Sequence, residues 1–184
     1  KAGMGVDARD LDDDGDSDLI VVNLEGQTDS YFRNGGGFFD DRTGAIGLGA
    51  SSRSFTRFGI GLADFDNDGR LDLYEANGAV VFKAAATTED PYAQPNVLFR
   101  GTADGRFEEV QPRGGTASEL VHTSRGVALG DVDGDGGIDV VVVNRDGPTY
   151  LLRNVYPARG NWVGFRVLDR SGGDALGATV RLSV

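Results

Sequence analysis

The stretch Asp64–Asn77, DFDNDGRLDLYEAN, decides how this chain is read: an acidic loop runs straight into an apolar segment. Its first nine residues follow D-x-D-x-D-G-x-x-D. The same pattern recurs as DLDDDGDSD at Asp10–Asp18 and as DVDGDGGID at Asp131–Asp139. Four carboxylates in so short a span repel one another unless a cation sits among them, and the glycine at the sixth position lets the backbone turn sharply. Oxygen donors with no His or Cys nearby suit a hard ion, and a flexible loop of this kind suits Ca²⁺ better than Mg²⁺. The expected side-chain ligands are Asp10, Asp12, Asp14 and Asp18, then Asp64, Asp66, Asp68 and Asp72, then Asp131, Asp133, Asp135 and Asp139. The seventh positions, Asp16, Arg70 and Gly137, are expected to donate a backbone carbonyl. The chain should therefore hold about three Ca²⁺ ions. A competing reading of any one loop is a solvated turn, since Asp and Gly favour turns by themselves.

These loops are not EF-hands. That motif requires a bidentate Glu at position 12 and a helix on each side. Position 12 here is Val21, Glu75 or Val142, and each loop leads into LIVVN, LYEAN or VVVVN. Runs so rich in β-branched and apolar residues predict a buried strand. The expected unit is strand, calcium loop, strand.

The repeat extends beyond the loop. Gly5, Gly59 and Gly126 each lie five residues before a loop, and a second apolar segment ends in Arg33, Arg100 or Arg153. Arg33 to Asp64 and Arg100 to Asp131 both span 31 residues. Within each interval a Gly-containing turn precedes phenylalanine, at Phe38–Phe39 and at Phe107. The distances from Asp18 to Arg33, Asp72 to Arg100 and Asp139 to Arg153 are 15, 28 and 14 residues, so the middle repeat carries an insertion around Gly78–Pro95. Self-similarity on this scale marks a repeat architecture in which each unit buries its apolar face against its neighbours. Phe32, Phe38, Phe39, Phe99 and Phe107 recur with the repeat and are expected in the core between units.

A glycine followed by the loop pattern and a strand resembles the FG-GAP or VCBS-type repeat of integrin alpha-chain β-propellers and many bacterial surface proteins. The resemblance covers about residues 1–155. It implies one four-stranded blade per repeat, with the calcium loop joining two adjacent strands. From Asn161, NWVGFRVLDRSGGDALGATVRLSV is similar to the start of the UnbV/ASPIC domain that comes after such repeats in cartilage-acidic-protein-like sequences. The expected fold is all-β: about three propeller-type blades over residues 1–157, then C-terminal β strands of a second unit over 158–184. A propeller usually has four to eight blades. Three would leave open edges, so a partial propeller or a piece of a larger protein is expected.

Net charge −11 and pI near 4.4 argue against a nucleic-acid partner, whose phosphates would be repelled. Three bound Ca²⁺ would reduce that charge to about −5, so binding should contribute to folding. With no Cys, disulfides, Fe–S ligation and thiol catalysis are excluded. No apolar run reaches about 18 residues, so no membrane-spanning helix is expected. Extracellular calcium modules bind at ~10⁻⁴–10⁻³ M, which makes a secreted, periplasmic or cell-surface location the expectation.

Catalysis finds little support. The single His, His122, lies near Ser118, Glu119, Thr123 and Ser124, but no nucleophile elbow surrounds either serine. Glu108 and Glu109 read as part of an edge strand, and no phosphate-loop motif occurs. Trp162 opens an alternating segment, WVGFRVL, expected to be a strand. The insertion, with Lys83 and Tyr92, is a place to look for binding, since loops on a rigid scaffold often carry it. The leading expectation is a non-enzymatic calcium-binding module with a structural, adhesive or partner-binding role, engaging a protein or glycan ligand outside the cell. The alternatives are a non-catalytic part of a secreted hydrolase or lyase, and a subunit that self-associates into filaments or a surface layer.

Overall fold

The structure, a computed structural model, describes residues 1–82 and 89–182. Among these the regular elements are strands and two short 3₁₀ turns, as the apolar runs after each loop require. The first blade is the antiparallel sheet of β1 (Gly3–Arg9), β2 (Asp18–Asn23), β3 (Ser30–Asn34) and β4 (Phe39–Asp41), in that order. In the second blade β5 (Arg57–Ala63) and β6 (Asp72–Asn77) are followed by a two-residue strand, β7 (Gln94–Pro95), which lies outside the sheet. The blade is completed by β8 (Val97–Gly101) and β9 (Phe107–Glu109). β10 (Val121–His122) pairs with β7 and precedes a third blade of β11 (Ser124–Gly130), β12 (Asp139–Asn144) and β13 (Tyr150–Leu152). The third blade thus has three strands among the described residues, against the four expected.

The first strand pair is built the same way in every blade. β1 with β2, β5 with β6 and β11 with β12 share one register, each with a shift where its inner strand begins, at Gly3/Gly5, Arg57/Gly59 and Ser124/Gly126. The recurring glycine sits just past that shift because the inner strands of neighbouring blades touch there. A Cβ on Gly5 would lie 2.2 Å from Phe58 O, and one on Gly59 would lie 2.8 Å from the Gly126 backbone.

Alternation along each strand sends side chains to the two faces of a blade, and the faces make two cores. Between the first and second blades Ile20, Val22 and Tyr31 pack with Leu62, Leu73 and Phe99, closed by Ile46 and Leu48 of the connecting segment. Between the second and third, Tyr74 and Ala76 meet Val140 and Val142. Phe99 and Phe107 are buried as expected, whereas Phe38 is 82% exposed and Phe39 is half-exposed. They belong to the outermost hairpin of the first blade, where nothing covers them. The first core also holds charge. Arg57 and Asp29 are fully buried, with Arg57 Nε donating to Asp29 Oδ1 at 2.6 Å, and Glu75 lies beside them.

The expected C-terminal strands are a correction. Residues 158–182 form only one isolated antiparallel bridge, Leu168 to Asp174, and Trp162, Phe165 and Leu176 remain exposed. Alternation by itself does not make a strand; a ladder partner is needed. The segment nevertheless docks at its start, where Gly160 N donates to Asp66 O at 2.8 Å. Of the insertion, Lys83 lies outside the described residues. Tyr92 is placed, with Arg145 over its ring at 4.7 Å.

Candidate metal centres

Each D-x-D-x-D-G-x-x-D loop joins the first and second strands of its blade, so the three lie at equivalent positions. The first aspartate folds the loop around itself. Asp10 accepts from Asp14 N and Gly15 N at 3.2 and 2.9 Å. Asp64 accepts from Asp68 N and Gly69 N at 3.1 and 2.8 Å. Asp131 accepts from Asp135 N and Gly136 N at 3.1 and 2.9 Å. The glycine at position six is left-handed each time, with φ of 95°, 88° and 82°. Position four is left-handed as well, at Asp13, Asn67 and Gly134. Those are the residue types that tolerate this conformation best, a constraint that the spacing of the carboxylates does not reveal.

The first, third and ninth carboxylates converge. Asp10, Asp12 and Asp18 offer oxygens all within 4.8 Å of one another, as do Asp64, Asp66 and Asp72, and Asp131, Asp133 and Asp139. Three like charges at that range, with oxygen donors only, fit a hard divalent cation, and these nine residues would form the core of the Ca²⁺ sites. The fifth-position aspartates, Asp14, Asp68 and Asp135, lie next to these triads and outside them. Each accepts the amide of position seven, from Asp16, Arg70 and Gly137 at 3.0, 3.0 and 2.8 Å. Each is also paired with arginine. At position seven the Asp16 carboxylate accepts from Gly36 N, and the Arg70 guanidinium goes to Asp68 and Gly101 O.

The ninth aspartate has a second task that the motif alone does not disclose. Asp18 accepts from Leu11 N, Asn34 N and Tyr31 Oη at 3.1, 2.7 and 3.0 Å. Asp72 accepts from Phe65 N and Gly101 N at 2.9 and 2.8 Å. Asp139 accepts from Val132 N and Asn154 N at 3.0 and 2.8 Å. All three are buried. One carboxylate thus ties the second residue of the loop to the far end of the third strand. The available signal was its place as the first residue of a strand. Burial pushes the Asp72 carboxyl up to about 6 against the pull of the Gly101 and Phe65 amides. Burial also raises Asp66, helped by the Asp68 charge. Asp14 is held below its usual range first by the Asp16 amide, and Asp135 by Arg159.

Glu75, the one acid at a twelfth position, does not join its loop. Its carboxyl turns into the first core, where the charges of Asp29 and Arg57 act on it. His122 is held against Tyr150. Its Nε2 lies 2.9 Å from Tyr150 Oη, Ser124 Oγ donates to Asn144 at 2.7 Å, and the Thr123 hydroxyl goes to Asp90.

A family model described as FG-GAP-like repeat matches residues 10–75 and 84–142, which takes in all three loops. The chain belongs to the FG-GAP-like repeat family. The repeats are also similar to cartilage acidic protein 1 of Xenopus tropicalis, 25% identical over 232 residues covering 98% of this chain and 35% of that protein. The protein of the same name from Mus musculus is 23% identical over 231 residues, with 98% and 35% covered. The chain therefore spans about a third of the length of the curated relatives it matches. Among the described residues of these FG-GAP-like repeats, no helix is long and apolar enough to cross a membrane.

Proposed function

We propose that these FG-GAP-like repeats form a calcium-binding module that works outside the cell in a structural, adhesive or partner-binding role. One observation carries the reading: three carboxylate triads, each within 4.8 Å, recur at the same loop of three successive blades. Calcium here does no chemistry. It neutralises the converging aspartates and so fixes the loop that connects two strands of each blade. Sites made of a few carboxylates on flexible loops fall in the weak range of extracellular modules, ~10⁻⁴–10⁻³ M, and so fill where calcium is millimolar. The curated relatives are named for cartilage and for acidity, and this chain carries −11. Residues 158–184 belong to a separate unit in this reading, since they add no strand to a blade among the described residues. A partner has room beside the second loop, where a groove of about 590 Å³ runs between the second and third blades. Its floor is apolar, from Leu98, Val140 and Leu152, and Arg100 and Arg153 stand along it.

Calorimetric titration of the chain with Ca²⁺ tests the reading. Wild type should take up three ions, and an Asp66→Ala, Asp133→Ala double variant should take up one. An unchanged stoichiometry, or no uptake by wild type at millimolar calcium, would refute it.

A further inference from the structure

Every loop brings its own arginine to the carboxylates. Arg33 follows the aromatic pair of β3 and reaches back to its loop, with Nε on Asp12 Oδ2 and Nη2 on Asp14 Oδ2, the latter at 3.0 Å. Arg100 does the same from β8, with Nε on Asp66 Oδ2 and Nη2 on Asp68 Oδ2, both at 3.1 Å. Arg70 adds a second guanidinium to Asp68. In the third loop the work is divided. Arg153, just past β13, takes Asp133, while Arg159 grips Asp135 through two nitrogens at 2.9 and 3.0 Å. The outcome is the same in all three: the third and fifth aspartates are both held by arginine.

A carboxylate oxygen that accepts from a guanidinium has less to offer a metal, and a fixed positive charge repels a dication at short range. Arginine suits this task better than lysine, because its planar fork engages two acceptors at once and never loses its charge. We propose that Arg33, Arg100 and Arg159 are built-in competitors of calcium, which hold the third or fifth aspartates of their loops and set the calcium affinity below what those carboxylates alone would give. The inference rests on the calcium reading above and deepens it. The same contacts restrain like charges that would otherwise drive the loop apart, so calcium and arginine are alternative counter-ions for one set of oxygens. In the third loop the exchange reaches further. Arg159 belongs to the segment whose next residue, Gly160, donates its amide to Asp66 O at 2.8 Å and lies against Asn67 of the second loop. Freeing Arg159 therefore loosens a tie between two calcium loops.

The test is calcium titration by calorimetry, with melting curves in EDTA, on the full chain. Arg33→Gln is placed on an Asp66→Ala, Asp133→Ala background, so that only the first loop reports. Arg159→Gln is placed on an Asp12→Ala, Asp66→Ala background, so that only the third reports. Each is expected to bind Ca²⁺ about two- to five-fold more tightly than its own background, the range of a partly exposed ion pair. Each should also melt earlier in EDTA. Arg159 lies outside every strand, so its variant carries the test if Arg33→Gln fails to fold. Unchanged or weaker binding in both would overturn the inference and make the arginines supports that orient carboxylates toward the ion. Silence from wild type and every variant would instead remove the calcium reading itself, and the inference with it.

Discussion

Replacing Glu75 by Gln should stabilise the protein at neutral pH, and the gain should grow with pH. Glu75 is wholly buried between the first two blades, facing Asp29 and Arg57, with the Glu109 charge acting from β9. Burial, and then the Asp29 charge, push its carboxyl well above the usual 4.5, with Arg57 pulling the other way. Burial raises Asp29 too, but the Arg57 guanidinium at 2.6 Å favours its anion. One cation thus faces two acids, and the neutral arrangement keeps a proton on Glu75. Asp29 Oδ2 and Glu75 Oε1 are among the buried oxygens without a hydrogen-bond partner among the described residues, as expected where a shared proton belongs. The folded protein therefore holds the proton more tightly than the unfolded chain. Wild-type stability is fully present below about pH 4.5 and declines as pH rises through the folded value, by up to about 1.4 kcal/mol per pH unit. Glutamine has nearly the same shape, keeps a donor for Asp29 and does not titrate. The variant should match wild type near pH 4.5 and pull ahead along that slope. Urea unfolding of both proteins from pH 4.5 to 8, at fixed free calcium, measures the difference directly. A difference that stays flat with pH, or a variant that loses ground as pH rises, would refute a protonated Glu75.

Two further pairs of substitutions separate packing from metal binding. Gly59→Ala pushes a methyl to 2.8 Å from the Gly126 backbone and should cost about 1–3 kcal/mol as overpacking. Gly126→Ala meets nothing nearer than Val143 Cβ at 3.8 Å and should cost little, which denaturant midpoints would show. Asp18→Asn removes an acceptor from among Leu11 N, Asn34 N and Tyr31 Oη, and should cost about 1–3 kcal/mol even in EDTA. Asp12→Asn weakens an exposed ion pair to Arg33 and should change calcium uptake while barely moving the EDTA melt. Equal losses from the two in EDTA would deny the ninth aspartate its bracing role.

The loops were legible because their geometry is local. A carboxylate at position one and a glycine at position six act within a few residues, and both behave alike in all three copies. The strands after them were legible from runs such as LIVVN and VVVVN. Failures came where a distant neighbour decides. Phe38 and Phe39 looked like core because they recur with the repeat, yet the outer hairpin gives them no facing blade. WVGFRVL alternates like a strand and finds no ladder partner. Glu75 sits where an EF-hand would place a ligand and instead points into the core, a matter of which face of β6 it occupies.

The sequence by itself determined the number of loops, the chemistry of the ion they suit, the strands beside them and membership in a repeat architecture. All of these arise from contacts between residues close in the chain, copied three times. Only the tertiary structure decided that Gly5 and Gly59 are small because neighbouring inner strands touch there. It also placed Asp18, Asp72 and Asp139 as buried braces to the third strand, and an arginine against the acids of each loop. Those contacts join residues 13 or more positions apart. Their partners are chosen by how blades stack, and spacing along the chain carries no record of that choice.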